Sequence, residues 1–289
     1  MHTSCQHTLK KSIQFKGLGV HSGQPSTITI HPANANTGIV FVNASSPQQT
    51  MHVGHVTPEA AMHATVIKAN GWLLSTVEHL LAALYIMDVD NATIVVQGQE
   101  IPILDGSALP FVQGILDVGL EQQADLRTLL TPRAFVSLAD QAGRMIEITP
   151  AQKTSGDVDH VLHLNYSADF KHPLVGDQTM SGAITKDFFV KEVAPARTFG
   201  FLDQLPFLRQ HNLAKGTSLG NTVVIGQELI NDMRLPNECI RHKVLDLIGD
   251  LSLLGKRLIG TVKAHHTSHN FNRLVIEHYL KNPEQWELI

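Results

Sequence analysis

Ser75-Thr76-Val77-Glu78-His79-Leu80-Leu81-Ala82-Ala83-Leu84 follows the apolar run Trp72-Leu73-Leu74 and reads as the start of a buried helix. Ser75 or Thr76 is the expected N-cap, because a hydroxyl there can accept from an unpaired first-turn amide. Glu78 and His79 fall in the first turn, among residues that otherwise belong in a dry interior. The positive end of the helix favours the carboxylate. A cap carboxylate beside a satisfied core histidine and a catalytic pair look alike here, so this stretch leaves both readings open.

Outward from that helix, the chain reads as strands and helices in repeated order. Residues 8–31 alternate in strand fashion, interrupted by the Gly-rich run at 17–23, with Ser26 to His31 the clearest strand and Ile39 to Val42 the next. Residues 44–61 read as loop, and Asn70-Gly71 is a hairpin turn signal. The helix from Thr76 is expected to end near Asp88, followed by a strand over 91–97 and a turn at Asp105-Gly106. A helix capped by Ser107 then runs to about Val118. Gly119 to Asp125 is polar and reads as a linker, after which the pattern restarts. Strands are expected at 129–138, 144–149 and 161–170, with turns at Gly143 and Ser155-Gly156-Asp157. Helices at 186–193 and 202–211, a strand at 221–225 and a long apolar helix over 237–254 follow; a strand over 258–264 and a helix over 270–280 complete the chain. Each half is thus several strands, a mostly apolar helix, a strand and a second helix. That order predicts an α+β fold of two similar domains, residues 1–122 and 127–289, each a layered β-sheet/helix sandwich. No residue-level repeat accompanies the similarity of plan.

Composition sets the class. The 289 residues can bury a large core, and an apolar content of 43% is ordinary for a globular protein. A net charge of -4 without a dense Lys/Arg run argues against nucleic acid as partner. Cys5 and Cys239 make no disulfide framework, the first residues lack the pattern of a signal peptide, and no apolar run is long enough to span a membrane. The expectation is a soluble cytoplasmic protein, and a monomer, since no long exposed apolar stripe asks for a partner.

The helix over 237–254 carries Arg241-His242-Lys243-Val244-Leu245-Asp246-Leu247-Ile248-Gly249-Asp250. His242 and Asp246 are four apart and share a face that Asp250 continues. A solvated i,i+4 His–Asp pair is the bland explanation, but the flanking Val and Leu residues leave little solvated face, and burying such groups without purpose is costly. His79 with His242 and Asp246 makes a two-histidine, one-carboxylate set that suits Zn²⁺ with an open position, or Fe²⁺. Glu78 adjoins a ligand and could act as general base. Cys239 offers a competing ligand three residues before His242, although a lone buried cysteine is more often a small hydrophobe. Among His265, His266 and His269, the last sits at a helix start, where Asp250 could keep it protonated as a general acid.

Four motifs in this order closely resemble the UDP-3-O-acyl-N-acetylglucosamine deacetylases, the zinc amidases of lipid A biosynthesis in Gram-negative bacteria. They are Ser75 to Leu80, Glu100-Ile101-Pro102-Ile103-Leu104-Asp105-Gly106-Ser107, Ala196-Arg197-Thr198-Phe199-Gly200-Phe201, and Arg241 to Leu251. The early segments Gly19-Val20-His21-Ser22-Gly23 and Pro32 to Gly38 agree, so the resemblance covers nearly the whole chain. It implies one catalytic zinc on His79, His242 and Asp246, Glu78 as base, and His269 as acid for the leaving amine, oriented by Asp250. It further implies Thr198 polarising the scissile carbonyl and Lys243, Phe199 and His21 binding substrate. Phe201, Leu202, Leu205 and Phe207 would shape an acyl passage, and the site would lie at the interface of two α+β domains.

The chain departs from the family pattern at three places. Thr267-Ser268-His269 stands where Ser-Gly-His is usual, so Ser268 could tilt the acid histidine. His63 replaces an apolar residue, and reads as an exposed strand residue or an extra polar contact; Cys239 also replaces a bulky apolar residue. Two competing readings remain: a paralogue that binds lipid-linked sugar or a protein without turnover, and a metal amidase with another substrate.

Overall fold

A computed structural model describes residues 4–154 and 157–289. The turn expected at Ser155-Gly156 lies outside the described residues. Two five-stranded sheets share one plan. The first is built from β1 (Ile13–Leu18), β2 (Pro25–Pro32), β3 (Ile39–Asn43), β4 (Thr50–His52) and β5 (Ala92–Gln97), in the order β1-β2-β5-β3-β4. The second is built from β6 (Val136–Ala139), β7 (Met145–Thr149), β8 (Leu162–Asp169), β9 (Asp177–Ala183) and β10 (Gly260–His265), in the order β6-β7-β10-β8-β9. Each contains one parallel pair, β3 with β5 and β8 with β10, and is otherwise antiparallel. In each, one helix precedes the last strand and one follows it: α1 (Glu78–Ile86) and α2 (Leu109–Val118) in the first half, α3 (Glu238–Leu251) and α4 (His269–Lys281) in the second. The α+β reading and the likeness of the halves therefore hold at the level of topology, where the side-chain sequence shows no repeat.

Strand alternation explains the core. Ile28 and Ile30 of β2, Ile94 and Val96 of β5, and Ile146 and Ile148 of β7 point inward and are fully buried. The helices cover those faces, α2 packing on β1 and α3 on β8 and β9. α1 and α3 then pack directly on each other, and the buried residues of both halves form one continuous cluster. Since α1 is buried on nearly every side, it has little amphipathic character and its stability comes from packing rather than from a solvated face.

The α1–α3 crossing is close because α3 carries Gly249 there. A Cβ at this position would collide with the carbonyl oxygen of Glu78. Gly249→Ala should therefore destabilise the fold by about 2 kcal/mol, since overpacking against backbone outweighs the roughly 1 kcal/mol gain in helix propensity. It should also lower turnover, by parting the two helices that carry the site. Thermal unfolding and activity of the variant check this; a raised melting temperature would refute it.

Several local expectations change. The linker expected at 119–125 is the strand Leu120–Leu126, paired antiparallel with Cys5–Leu9. Its polar residues are tolerated because they face solvent or, like Gln123, hydrogen-bond the Ala33 carbonyl. The end of this strand is fastened by Arg127, which pairs with Asp88 at 2.9 Å and Asp90 at 2.7 Å; Asp88 also holds Arg257 at 2.9 Å and Lys186 at 2.6 Å. Short strands at Thr50–His52 and Pro58–Glu59 interrupt the expected loop, and β9 and the strand Trp286–Leu288 were not anticipated. No helix among the described residues is long and apolar enough to cross a membrane.

Candidate metal centre and active site

The N-terminus of α1 has no side-chain cap: its N-cap is Val77. Thr76, one of the two expected caps, instead takes a left-handed conformation (φ 58°) and donates from Oγ1 to Glu100 at 3.0 Å. A β-branched residue seldom adopts this backbone, and the surrounding structure must hold it there. Glu100 does so: its carboxylate also accepts from the backbone amides of His21 and Ser22, each at 2.8 Å. A Cβ at Gly19 would occupy the space of the Glu100 carboxylate, which explains a glycine at that position. The Glu100 motif thus joins the His21 loop to the entry of the helix that presents Glu78 and His79.

A second support fixes the partner helix. Glu238, fully buried at the start of α3, accepts from the Arg197 amide at 2.8 Å and its Nε at 3.0 Å. One turn later on the same helix, His242 Nδ1 lies 3.1 Å from the Ala196 carbonyl. The Thr198 amide donates to Gly106 at 2.8 Å, so the Asp105-Gly106 turn and the Ala196–Phe201 segment are bound together. Glu100 opens one of the four motifs, but neither its supporting role nor that of Glu238 is legible in the sequence; a buried Glu with several amide donors leaves no spacing signature.

These supports bring the candidate ligands together. Potential ligand atoms of His79, His242 and Asp246 all lie within 4.8 Å of one another, and all three residues are buried. Asp246 Oδ1 is 3.3 Å from His242 Nε2 and 3.7 Å from His79 Nε2. The two imidazoles meet edge to face, 4.9 Å between centroids. The arrangement fits a divalent cation on its own terms. With His242 Nδ1–H donating to Ala196, its Nε2 carries a lone pair aimed at a carboxylate oxygen. Burial, partly opposed by Asp246, lowers the His242 pKa to about 4, so the ring is neutral. Two acceptors then face each other without a proton between them, and Asp246 Oδ1 is buried without a hydrogen-bond partner. A metal ion resolves that arrangement, and the donor set is one that zinc accepts.

Glu78 and His269 flank the ligands. Burial raises the Glu78 carboxyl to about 7, against the attraction of His269 and His79. Its Oε2 accepts from the Thr65 amide at 3.1 Å, and its Oε1 lies 3.8 Å from His269 Nε2. His269 Nδ1 is 2.8 Å from Asp250 Oδ2. Burial alone would neutralise that ring, but Asp250, Asp246 and Glu78 together raise its pKa to about 9. Lys243 Nζ is 2.9 Å from Asp246 Oδ2. Despite burial, Asp246 raises the Lys243 pKa, while His242, Lys243 and His269 hold Asp246 well below the usual carboxylate range. Three buried carboxylates thus face two partly buried cations, which leaves room for further positive charge.

A cavity of about 460 Å³ opens onto this centre and is lined by His21, Glu78, His79, Thr198, Phe199 and Lys243, among others. Asp250 lies behind His269. The cavity continues past Phe201, Leu202 and Leu205, but Phe207 is not in its wall: it is half exposed and stacks on His211. Leu208 and Val224 line it instead.

The departures resolve simply. Ser268 is extended (φ -131°) and caps α4 by accepting from the Phe271 amide, so its side chain fits without strain. His63 is not in a strand: it sits exposed at the cavity mouth in a left-handed bend (φ 60°), its carbonyl 3.1 Å from His21 Nε2. Cys239 packs with Val175, Val223 and Ile225, and burial pushes its thiol up to about 12. It therefore belongs to the core rather than to the candidate ligand set. Lys263 is exposed beside Glu147, and His265 bonds Ser167; neither lines the cavity.

The family model described as UDP-3-O-acyl N-acetylglycosamine deacetylase matches residues 6–281. A UDP-3-O-acyl-N-acetylglucosamine deacetylase of Syntrophotalea carbinolica is 37% identical over 289 residues, covering 98% of this chain and 90% of its own length. Like-named proteins of a Geobacter species and of Pasteurella multocida are 38% and 35% identical, each alignment covering 98% of this chain and 92% of the relative. On a match over nearly its full length, this chain belongs to the UDP-3-O-acyl-N-acetylglucosamine deacetylase family.

Proposed function

We propose that this chain hydrolyses the N-acetyl amide of UDP-3-O-acyl-N-acetylglucosamine, giving acetate and the free glucosamine derivative, the committed step of lipid A biosynthesis. The observation that carries the reading is the convergence of His79, His242 and Asp246 with Glu78 and His269 at the polar end of a cavity whose far wall is apolar. An acyl chain suits that wall, each buried methylene contributing about 0.8 kcal/mol. The chain acts as two domains, 1–122 and 127–289, the first presenting Glu78 and His79 and the second the remaining ligands and the acid. It works in the cytoplasm as a monomer.

His79, His242 and Asp246 would hold one Zn²⁺, which would supply Lewis-acid polarisation of the amide carbonyl and acidification of the attacking water. Glu78 takes the proton from that water. Thr198 steadies the charge that develops on the carbonyl oxygen. His269 delivers its Nε2 proton to the departing nitrogen, which is a very poor leaving group until protonated. Asp250 holds the opposite edge of the ring and keeps it charged. Lys243, Phe199 and His21 position the sugar and its polar head.

The same roles fix the pH dependence. Activity requires Glu78 ionised and His269 protonated. Turnover should rise as Glu78 loses its proton, at or below about 7, and fall as His269 loses its proton, at or below about 9, because a bound cation draws both values down. Asp250→Asn removes the charge that supports the imidazolium, so the alkaline limb should move to lower pH; kcat/KM profiles of both proteins check this.

Acetate release from UDP-3-O-acyl-N-acetylglucosamine by purified protein, zinc-loaded and chelated in parallel, tests the assignment. Metal-dependent release is expected. No release from protein that binds one zinc would favour a paralogue that binds without turnover, or an amidase of another substrate.

A further inference from the structure

Thr65 contacts both sides of the reaction centre through different atoms. It lies just before the strand Val66–Ala69 and is buried. Its backbone amide donates to Glu78 Oε2 at 3.1 Å. Its Oγ1 donates to Asp250 Oδ1 and lies 3.0 Å from His269 Nδ1. A hydroxyl has one proton, and it goes to Asp250 Oδ1. The Thr65 oxygen therefore acts as an acceptor toward His269, sharing the Nδ1–H with Asp250 Oδ2. Asn272 Nδ2 completes the ring of donors to Asp250 at 2.7 Å.

The segment leading to Thr65 is stitched over the site. The Ala61 amide donates to Asn270 Oδ1 at 3.0 Å, and the His63 carbonyl meets His21 Nε2 at 3.1 Å. Thr65 and α4 are far apart in sequence, so no spacing pattern reveals the contact.

We propose that Thr65 is a positioning residue that holds Glu78 and His269 in register, its amide fixing the carboxylate and its hydroxyl closing a Thr65–Asp250–His269 hydrogen-bonded triangle. This rests on the roles assigned to Glu78 and His269 above. The hydroxyl restrains the imidazole about its Nδ1 edge, so that Nε2 faces the reacting nitrogen. Without it, Asp250 Oδ1 loses its donor and the ring is held by one contact instead of two.

Thr65→Val keeps the shape and the backbone amide and removes the hydroxyl; Thr65→Ser keeps the hydroxyl. In zinc-loaded protein, Thr65→Val should lower kcat about 10- to 100-fold with KM within about twofold, and Thr65→Ser should recover most of the loss. Zinc content should equal that of wild type. In metal-free protein, the His269 Nδ1–H should give a downfield proton resonance that Thr65→Val shifts or broadens and Thr65→Ser restores. Should Thr65→Val not fold, Thr65→Ala carries the same comparison. Unchanged kcat with only a lowered melting temperature, or an unmoved resonance, would overturn the proposal and leave Thr65 a structural residue. Absence of turnover by wild type would instead overturn the proposed reaction, and the resonance would still decide whether Thr65 holds His269.

Discussion

Glu78→Gln should retain one metal ion per chain and lose about 10²- to 10⁴-fold in kcat, the range typical of a removed general base. The amide is nearly the same shape as the carboxylate, and its oxygen can still accept from the Thr65 amide. What it lacks is a lone pair basic enough to take a proton near neutral pH. Wild-type Glu78 is suited to that role because burial lifts its carboxyl to about 7, where it is ionised enough to accept a proton and basic enough to keep it. The acid limb of the pH profile should vanish from the residual activity while the alkaline limb, which belongs to His269, remains. KM should change little, since Glu78 faces the reacting end of the cavity rather than its apolar wall. Metal analysis, steady-state kinetics and a pH series together test this. Near-wild-type kcat would remove Glu78 from the mechanism; loss of metal would make it a ligand instead.

The sequence revealed the candidate site better than it revealed the structure around it. Glu78, His79, His242 and Asp246 are legible because each is a titratable group placed among apolar neighbours, and the i,i+4 spacing of His242 and Asp246 shows which face they share; His269 is legible only as the histidine at a helix start. The plan of two halves is legible because hydrophobic periodicity switches in the same order twice. The hidden features are those that depend on tertiary pairing. Thr76 looks like a cap until Glu100, on another segment, captures its hydroxyl and turns its backbone left-handed. Residues 119–125 look like a linker because strand pairing with Cys5–Leu9 is a long-range event, and half-exposed polar strands carry little periodic signal. Thr65, Glu238 and Asn272 act through hydrogen bonds to residues distant in sequence, which neither propensity nor spacing encodes.

His242→Ala should leave the chain without metal after dialysis and abolish detectable turnover. The argument turns on what remains. Asp246 stays paired with Lys243 at 2.9 Å, and the start of α3 stays anchored by Glu238 to Arg197, so the helix has reason to persist. The cation site, however, loses the one donor whose orientation is set by a backbone carbonyl. His79 and one carboxylate oxygen are too few to hold a zinc ion against water and chelator. Calorimetry separates this from simple unfolding. At a zinc concentration 1,000 times its dissociation constant, wild type should gain about 4 kcal/mol of stability by mass action, and the variant none. In the absence of metal the two should differ only by the cost of a truncated buried side chain and an Ala196 carbonyl left without its donor, about 1–3 kcal/mol. A variant that still takes up one zinc and is stabilised as wild type would show that His79 and Asp246 find their third ligand elsewhere. His269, whose Nε2 lies 3.8 Å from Asp246 Oδ2, would be the first group to examine, and its recruitment would cost the reaction its acid. Zinc uptake with no return of turnover would therefore separate metal holding from catalysis within one variant.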